Sequence, residues 1–206
     1  MKKNIIDKMN QGREFRSLML TPSKEEDMIV EGYASTFNEP YVLYEDDEIK
    51  IMEEVDKDAF NYADLSDVIM QYNHKGRVFA RNKNKTLELS TDNKGFFIRA
   101  NLGLTDIGKQ LYQEIKGGYT DKMSFSFMVE EEKRNSFFDE EGRENILRII
   151  TKIKKVYDVS AVSIPANDMT YISARNFSDG VIAKIRAERL ECLKKKTKLK
   201  LKLGEF

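Results

Sequence analysis

Lys122-Met123-Ser124-Phe125-Ser126-Phe127-Met128-Val129 alternates its side chains with a period of two. In an extended chain successive side chains point to opposite faces. Lys122, Ser124, Ser126 and Met128 therefore share one face, while Met123, Phe125, Phe127 and Val129 share the other. The aromatic face is the natural core side, and the run reads as a strand through Glu130. The same theme recurs along the chain. Arg16–Leu20, Met28–Thr36, Val68–Tyr72, Val78–Ala80, Leu87–Ser90, Phe96–Leu102 and Ile146–Ile164 all read as strands. Asn38-Glu39-Pro40 and Asp92-Asn93-Lys94-Gly95 supply turn chemistry between them.

Helical signals are few. Thr105 is a suitable N-cap for a helix to Lys116, with Ile107, Leu111 and Ile115 at i, i+4 and i+8 and Gly117-Gly118 as its stop. Asp56-Lys57-Asp58-Ala59-Phe60 predicts a short capped helix after a long acidic connection through Tyr44–Val55. Ser178 to about Leu203 predicts a helix that is amphipathic at first and lysine-rich at its end. Many short strands with few helices point to an α+β fold: a curved antiparallel, barrel-like sheet flanked by helices, with a C-terminal basic helical tail. The expected division is a loose polar arm at 1–14, a body at 15–177, and the helix and tail at 178–206.

Composition bounds the function. The 206 residues include 12 Phe and 9 Tyr, enough for a real core, and the formal net charge is zero. That zero is uneven. From Val181 onward nine Lys/Arg face three acids, so this segment carries +6 and the preceding residues −6. Cys192 is the only cysteine; an internal disulfide is excluded, and a reducing compartment fits. No apolar stretch suits a signal peptide or a membrane span, which leads to the expectation of a soluble intracellular protein. With one His and one Cys, no metal site is expected. Glu45-Asp46-Asp47-Glu48 and Glu130-Glu131-Glu132 lack calcium-loop spacing and read as solvated loops. No phosphate-binding glycine loop is present, and no cofactor is expected.

The single histidine, His74, follows Gln71-Tyr72-Asn73 at a strand end. A serine hydroxyl is a poor nucleophile until a base removes its proton, and imidazole does this best near neutral pH. Any histidine-dependent chemistry here must converge on position 74, with Ser124 or Ser126 as candidate nucleophiles. A carboxylate would be needed to orient the ring. Asp158 stands alone in the apolar run Val156-Tyr157-Asp158-Val159-Ser160, and a buried acid needs a partner. Asp64, Asp67 and Glu88 fit on spacing as well. The bland alternatives are a polar strand face for the serines, a surface turn for His74, and Lys154 or Lys155 as the partner of Asp158.

Several of these pieces occur in a familiar order: Glu31-Gly32-Tyr33-Ala34-Ser35-Thr36-Phe37-Asn38, Tyr72-Asn73-His74, Thr105-Asp106-Ile107-Gly108, Met123-Ser124-Phe125-Ser126-Phe127, and Asp158-Val159-Ser160 leading to Pro165-Ala166-Asn167. The chain resembles the prohead (capsid maturation) serine proteases of HK97-type tailed bacteriophages, whose fold is distantly similar to herpesvirus assemblin. The resemblance spans roughly Val30 to Arg175. It implies His74 as general base, Ser124 as nucleophile and Asp158 as the third member. The family tends to read Ser-x-Gly-Phe at the serine, so Ser126 stands where glycine is usual and is the alternative nucleophile. The third position is often Glu in the family, and here it is the shorter Asp158.

The resemblance further implies a serine endopeptidase that cleaves a phage scaffolding protein, or the scaffold-like segment of the major capsid protein, and also itself. It would act inside the prohead in the host cytoplasm, with self-association possible and no membrane or nucleic-acid partner expected. Two other readings rest on the tail, residues 194–202. One is a catalytically inactive capsid-assembly module. The other is a nucleic-acid-binding head protein, although the tail has little aromatic interleaving for base stacking.

Overall fold

The long run Glu144–Val162, which forms the last strand, organises a computed structural model of the chain that describes residues 13–24 and 27–163, plus Ala187, Glu191 and Lys194. The elements before it are β1 (Glu14–Met19), β2 (Thr21–Lys24), β3 (Ile29–Thr36), β4 (Tyr41–Glu45), β5 (Ile49–Val55), β6 (Ile69–Tyr72), β7 (Lys75–Arg81), β8 (Leu87–Thr91), β9 (Gly95–Asn101), α1 (Asp106–Lys116) and β10 (Lys122–Phe138), with Glu144–Val162 as β11. One edge of β11 takes β10 antiparallel over nearly its whole length. Its other edge pairs in parallel with β5 at Glu144–Ile150 and with β6 at Asp158–Ala161. β1 completes the larger sheet beyond β10, β4 beyond β5, and β7 beyond β6. The smaller sheet is antiparallel throughout, in the order β2-β3-β9-β8.

This architecture corrects the barrel expectation. Both sheets are open, and the larger one is mixed rather than antiparallel. Parallel partners lie far apart in sequence, so no turn signal announces them. The acidic connection at Tyr44–Val55 is in fact the end of β4, a tight turn and the whole of β5. Its alternating Ile49, Ile51, Glu53 and Val55 are all buried, and Glu53 among them masks the apolar pattern. Asp56–Phe60 is a succession of tight turns instead of a helix: Ala59 N–H bonds Asp56 O and Asn61 N–H bonds Asp58 O, both three residues back. Among the described residues α1 is the one complete α-helix, beside a single 3-10 turn at Asn82–Asn84. Its Thr105 cap accepts from Gly108 N–H at 3.1 Å, and Leu111, Tyr112 and Ile115 are buried. A Cβ on Gly108 would meet Leu102 O at 2.2 Å, which accounts for glycine there. Of the expected tail helix, Ala187, Glu191 and Lys194 are helical, and its other positions lie outside the described residues, as do residues 1–12 of the arm. Among the described residues no helix is long and apolar enough to cross a membrane.

The two sheets meet through aromatic rings. Met123, Phe125 and Phe127 of β10 are fully buried, as the alternation requires. Phe125 stacks on Phe127 at 4.5 Å, and Phe60 on Phe96 of β9 at 4.5 Å, while Phe96 and Phe125 join the pairs at 6.4 Å. Burial of each such ring contributes roughly 1.5–3 kcal/mol.

A buried ionic cluster ties five strands of the larger sheet. Glu53 of β5 is fully buried and accepts from Arg16 of β1 at 2.5 Å, from Arg148 of β11 at 2.7 Å, and from the Tyr41 hydroxyl of β4. Arg148 also holds Glu14 at 2.6 Å and Glu132 of β10 at 2.7 Å. Burial and the adjacent Glu53 charge push the Tyr41 phenol well up, so it remains a donor. Removing one member of such a cluster strands its partners. Glu53→Ala should therefore lose about 3–5 kcal/mol of stability in a urea titration, and a loss under about 1 kcal/mol would show that the two arginines find other partners.

Candidate active site

His74 sits on a two-residue hairpin turn between β6 and β7, where Tyr72 pairs with Lys75. Both central residues, Asn73 and His74, have left-handed backbone, with φ of 49° and 57°. Two positive φ values are the pattern of a type I′ turn, whose preferred sequence is Asn-Gly. An imidazole in the glycine position costs about 1–2 kcal/mol of local strain. Such strain persists only where surrounding contacts over-determine it. Asn73 N–H bonds Ala161 O at 2.9 Å, extending the parallel β6–β11 ladder into the turn. The turn is thereby fixed to the strand that carries Asp158.

Asp158 is buried in β11. His74 Nδ1 lies 2.5 Å from its Oδ1, with the two side chains 10% and 4% exposed. In the tautomer that suits a carboxylate acceptor, Nδ1–H is the donor of this bond. Two hydroxyls also point at this carboxylate. Ser160 donates to Oδ1 at 2.7 Å, and Ser126 donates to Oδ2 across the β10–β11 pair. The acid is thus neither on a sheet edge nor paired with lysine. Lys155 instead bonds Asp64, and Asp67 bonds Arg81, which leaves those two rival acids engaged elsewhere.

Register decides the rest. Ser126 lies directly opposite Asp158, and Ser124 directly opposite Ser160. Ser124 and Asp158 are therefore diagonal neighbours on one face. Diagonal pairs in antiparallel sheets lie about 7–8 Å apart between their backbone positions, which puts Ser124 and Asp158 in the same stretch of the sheet. Ser124 is buried, and its hydroxyl has no hydrogen-bond partner among the described residues. A buried, unsatisfied hydroxyl is uncommon and costly, so its presence calls for a reason. The two serines of the strand consequently differ: the Ser126 hydroxyl is committed to Asp158, and the Ser124 hydroxyl is not.

The description of caudovirus prohead serine proteases matches residues 17–182. The chain belongs to that family. It is a protease of phage capsid maturation. A comparison with curated protein sequences found no match. Among solved structures the chain is similar to the bacteriophage T4 capsid assembly protease, with 15% identity and a TM-score of 0.38, over 74% of this chain and 99% of that one.

Two residues that sequence reasoning left without a role adjoin the candidate site of this prohead protease: Ser160 on Asp158, and Asn73 in the His74 turn. Ser160 could have been suspected from its i+2 spacing to Asp158, which puts both on one face. Asn73 could have been suspected from its place before His74 in a two-residue turn. Gly32, in the first shared motif, has a direct steric reason: a Cβ there would lie 2.6 Å from Met19 O. Among the described residues no cluster of His, Cys, Asp and Glu is suited to hold a metal ion.

The unequal serines give opposite expectations for stability. Ser124→Ala removes an unsatisfied hydroxyl and should raise stability by about 1 kcal/mol. Ser126→Ala takes a donor from a buried carboxylate and should lower it by about 1.5–3 kcal/mol. Denaturant midpoints of the two variants measure this directly, and equal midpoints would contradict the hydroxyl assignments.

Proposed function

We propose that this protein is a serine endopeptidase in which Ser124 is the nucleophile, His74 the general base and Asp158 the residue that orients the ring. The observation that carries the reading is the His74–Asp158 pair, with Asp158 set diagonally across one strand pair from a buried hydroxyl that has no hydrogen-bond partner among the described residues. Ser124 Oγ attacks the scissile carbonyl carbon as its proton passes to His74 Nε2. The imidazolium is stabilised by ionised Asp158, then returns the proton to the leaving amine as the C–N bond breaks. Water, deprotonated by His74, releases the acyl group and restores Ser124. Backbone amides supply the oxyanion stabilisation. The family's usual Ser-x-Gly-Phe pattern supports Ser124 over Ser126, and so does the commitment of the Ser126 hydroxyl to Asp158.

The substrates we infer are the phage scaffolding protein or the scaffold-like segment of the major capsid protein, together with this chain itself. Cleavage takes place inside the prohead in the host cytoplasm. The lysine-rich segment 194–202, on a chain whose remainder is acidic, suits docking to an acidic scaffold or capsid surface.

Co-expression with the phage's scaffolding and capsid proteins, read by mass spectrometry for new termini, tests the whole reading. Ser124→Ala and His74→Ala should each lower turnover by about 10⁶-fold, and Asp158→Asn by about 10⁴-fold. Cleavage that survives in Ser124→Ala but vanishes in Ser126→Ala would transfer the nucleophile to Ser126. Appearance of the same new termini with His74 replaced would end the proposed mechanism altogether.

A further inference from the structure

We infer that Asn73 is the positioning residue that holds His74 in register with Asp158, an inference that rests on His74 being the base. The turn is anchored through one side chain. Asn73 Nδ2 donates to Ser163 Oγ at 3.1 Å, while Ser163 N–H donates to Asn73 Oδ1 at 3.1 Å. This reciprocal pair uses both ends of the amide. Together with the bond from Asn73 N–H to Ala161 O at 2.9 Å, it clamps the turn beyond Asp158 at two points, Ala161 of β11 and Ser163 just past the strand's end.

The clamp matters because of what the turn carries. β6 is only four residues long, and its parallel pairing with β11 runs from Ile69–Asp158 to Tyr72–Ala161. Past Tyr72 the chain reverses, and His74 comes back over β11 to reach Asp158. Asparagine tolerates the left-handed backbone this requires, because its short amide side chain can hydrogen-bond locally. A glycine at position 73 would satisfy that backbone equally well and would lack the amide. The side chain therefore does something the backbone conformation alone does not require: it sets the angle at which the imidazole approaches the carboxylate. Misplacement of a catalytic group by about 1 Å costs on the order of 100-fold in rate.

Asn73→Gly isolates the clamp because it keeps the turn and deletes the amide. Cleavage of co-expressed scaffolding protein should fall about 10–100-fold, with the thermal midpoint near that of the parent. The lone histidine allows a second readout independent of turnover. In a Ser124→Ala background, which blocks self-cleavage, the ring ¹⁵N–¹H spectrum reports His74 alone. Its Nδ1 proton, bonded to Asp158, should shift or broaden when Asn73→Gly is added. Asn73→Asp, which keeps Oδ1 as acceptor and loses the Nδ2 donor, should give an intermediate result, and Ser163→Ala should follow it. Cleavage within about twofold of the parent and a superimposable ring spectrum in Asn73→Gly would overturn the inference. If His74→Ala itself still cleaves, the base assignment fails. If His74→Ala is inactive while Asn73→Gly is fully active, only the clamp fails.

Discussion

β10 and β11 pair antiparallel, and their register puts Ser126 against Asp158 and Ser124 against Ser160, with His74 delivered from the other side of β11 by the parallel strand β6. Everything proposed for the chemistry hangs on that one pairing. A slip of one residue would send Ser124 and Ser126 to the aromatic face and Phe125 and Phe127 to the polar one. The four stacked and tilted phenylalanine rings between the sheets oppose such a slip, so the core and the site enforce the same register.

The larger sheet carries two buried polar assemblies with different logic. The Glu53 cluster is closed: each guanidinium meets carboxylates from neighbouring strands, and such an assembly contributes more to strand order than to net stability. The assembly at Asp158 is left open by one hydroxyl. Three groups converge on the carboxylate, and the nearby Ser124 hydroxyl makes no hydrogen bond among the described residues. A structural network gains by satisfying every group, whereas a nucleophile must stay uncommitted until substrate arrives. Under the proposed mechanism the contrast separates scaffold from site within a single sheet.

The left-handed turn at Asn73-His74 belongs to the same logic. A chain selected only for stability would place glycine at position 74, as Asn-Gly turns do. Here the strained position is given to the one imidazole in the protein, and contacts from β11 hold it there. Local strain and a hydroxyl without a partner among the described residues, both unfavourable for folding, lie on opposite sides of β11, in the turn after β6 and on β10.

Much of the site was legible in the residues themselves. Uniqueness pointed to His74, alternation put Ser124 and Ser126 on one face, and an isolated acid in an apolar run marked Asp158 as needing a partner. The helix after Thr105 and the first half of β10, Lys122–Glu130, were equally clear, because period and capping are local properties; that β10 runs on to Phe138 through Glu130-Glu131-Glu132, which read as a loop, was not. The parallel pairings of β5 and β6 with β11, the openness of the sheets and the strands hidden in Tyr44–Val55 were not. They depend on contacts between residues about 90 positions apart, and in β5 on a buried Glu53 that only its arginine partners explain. The sequence by itself determined which side chains were available and which way each faced along its own strand. Only the tertiary structure decided which of the two serines is bound to Asp158, because a hydroxyl's partner is set by cross-strand register, and register is a property of two strands together.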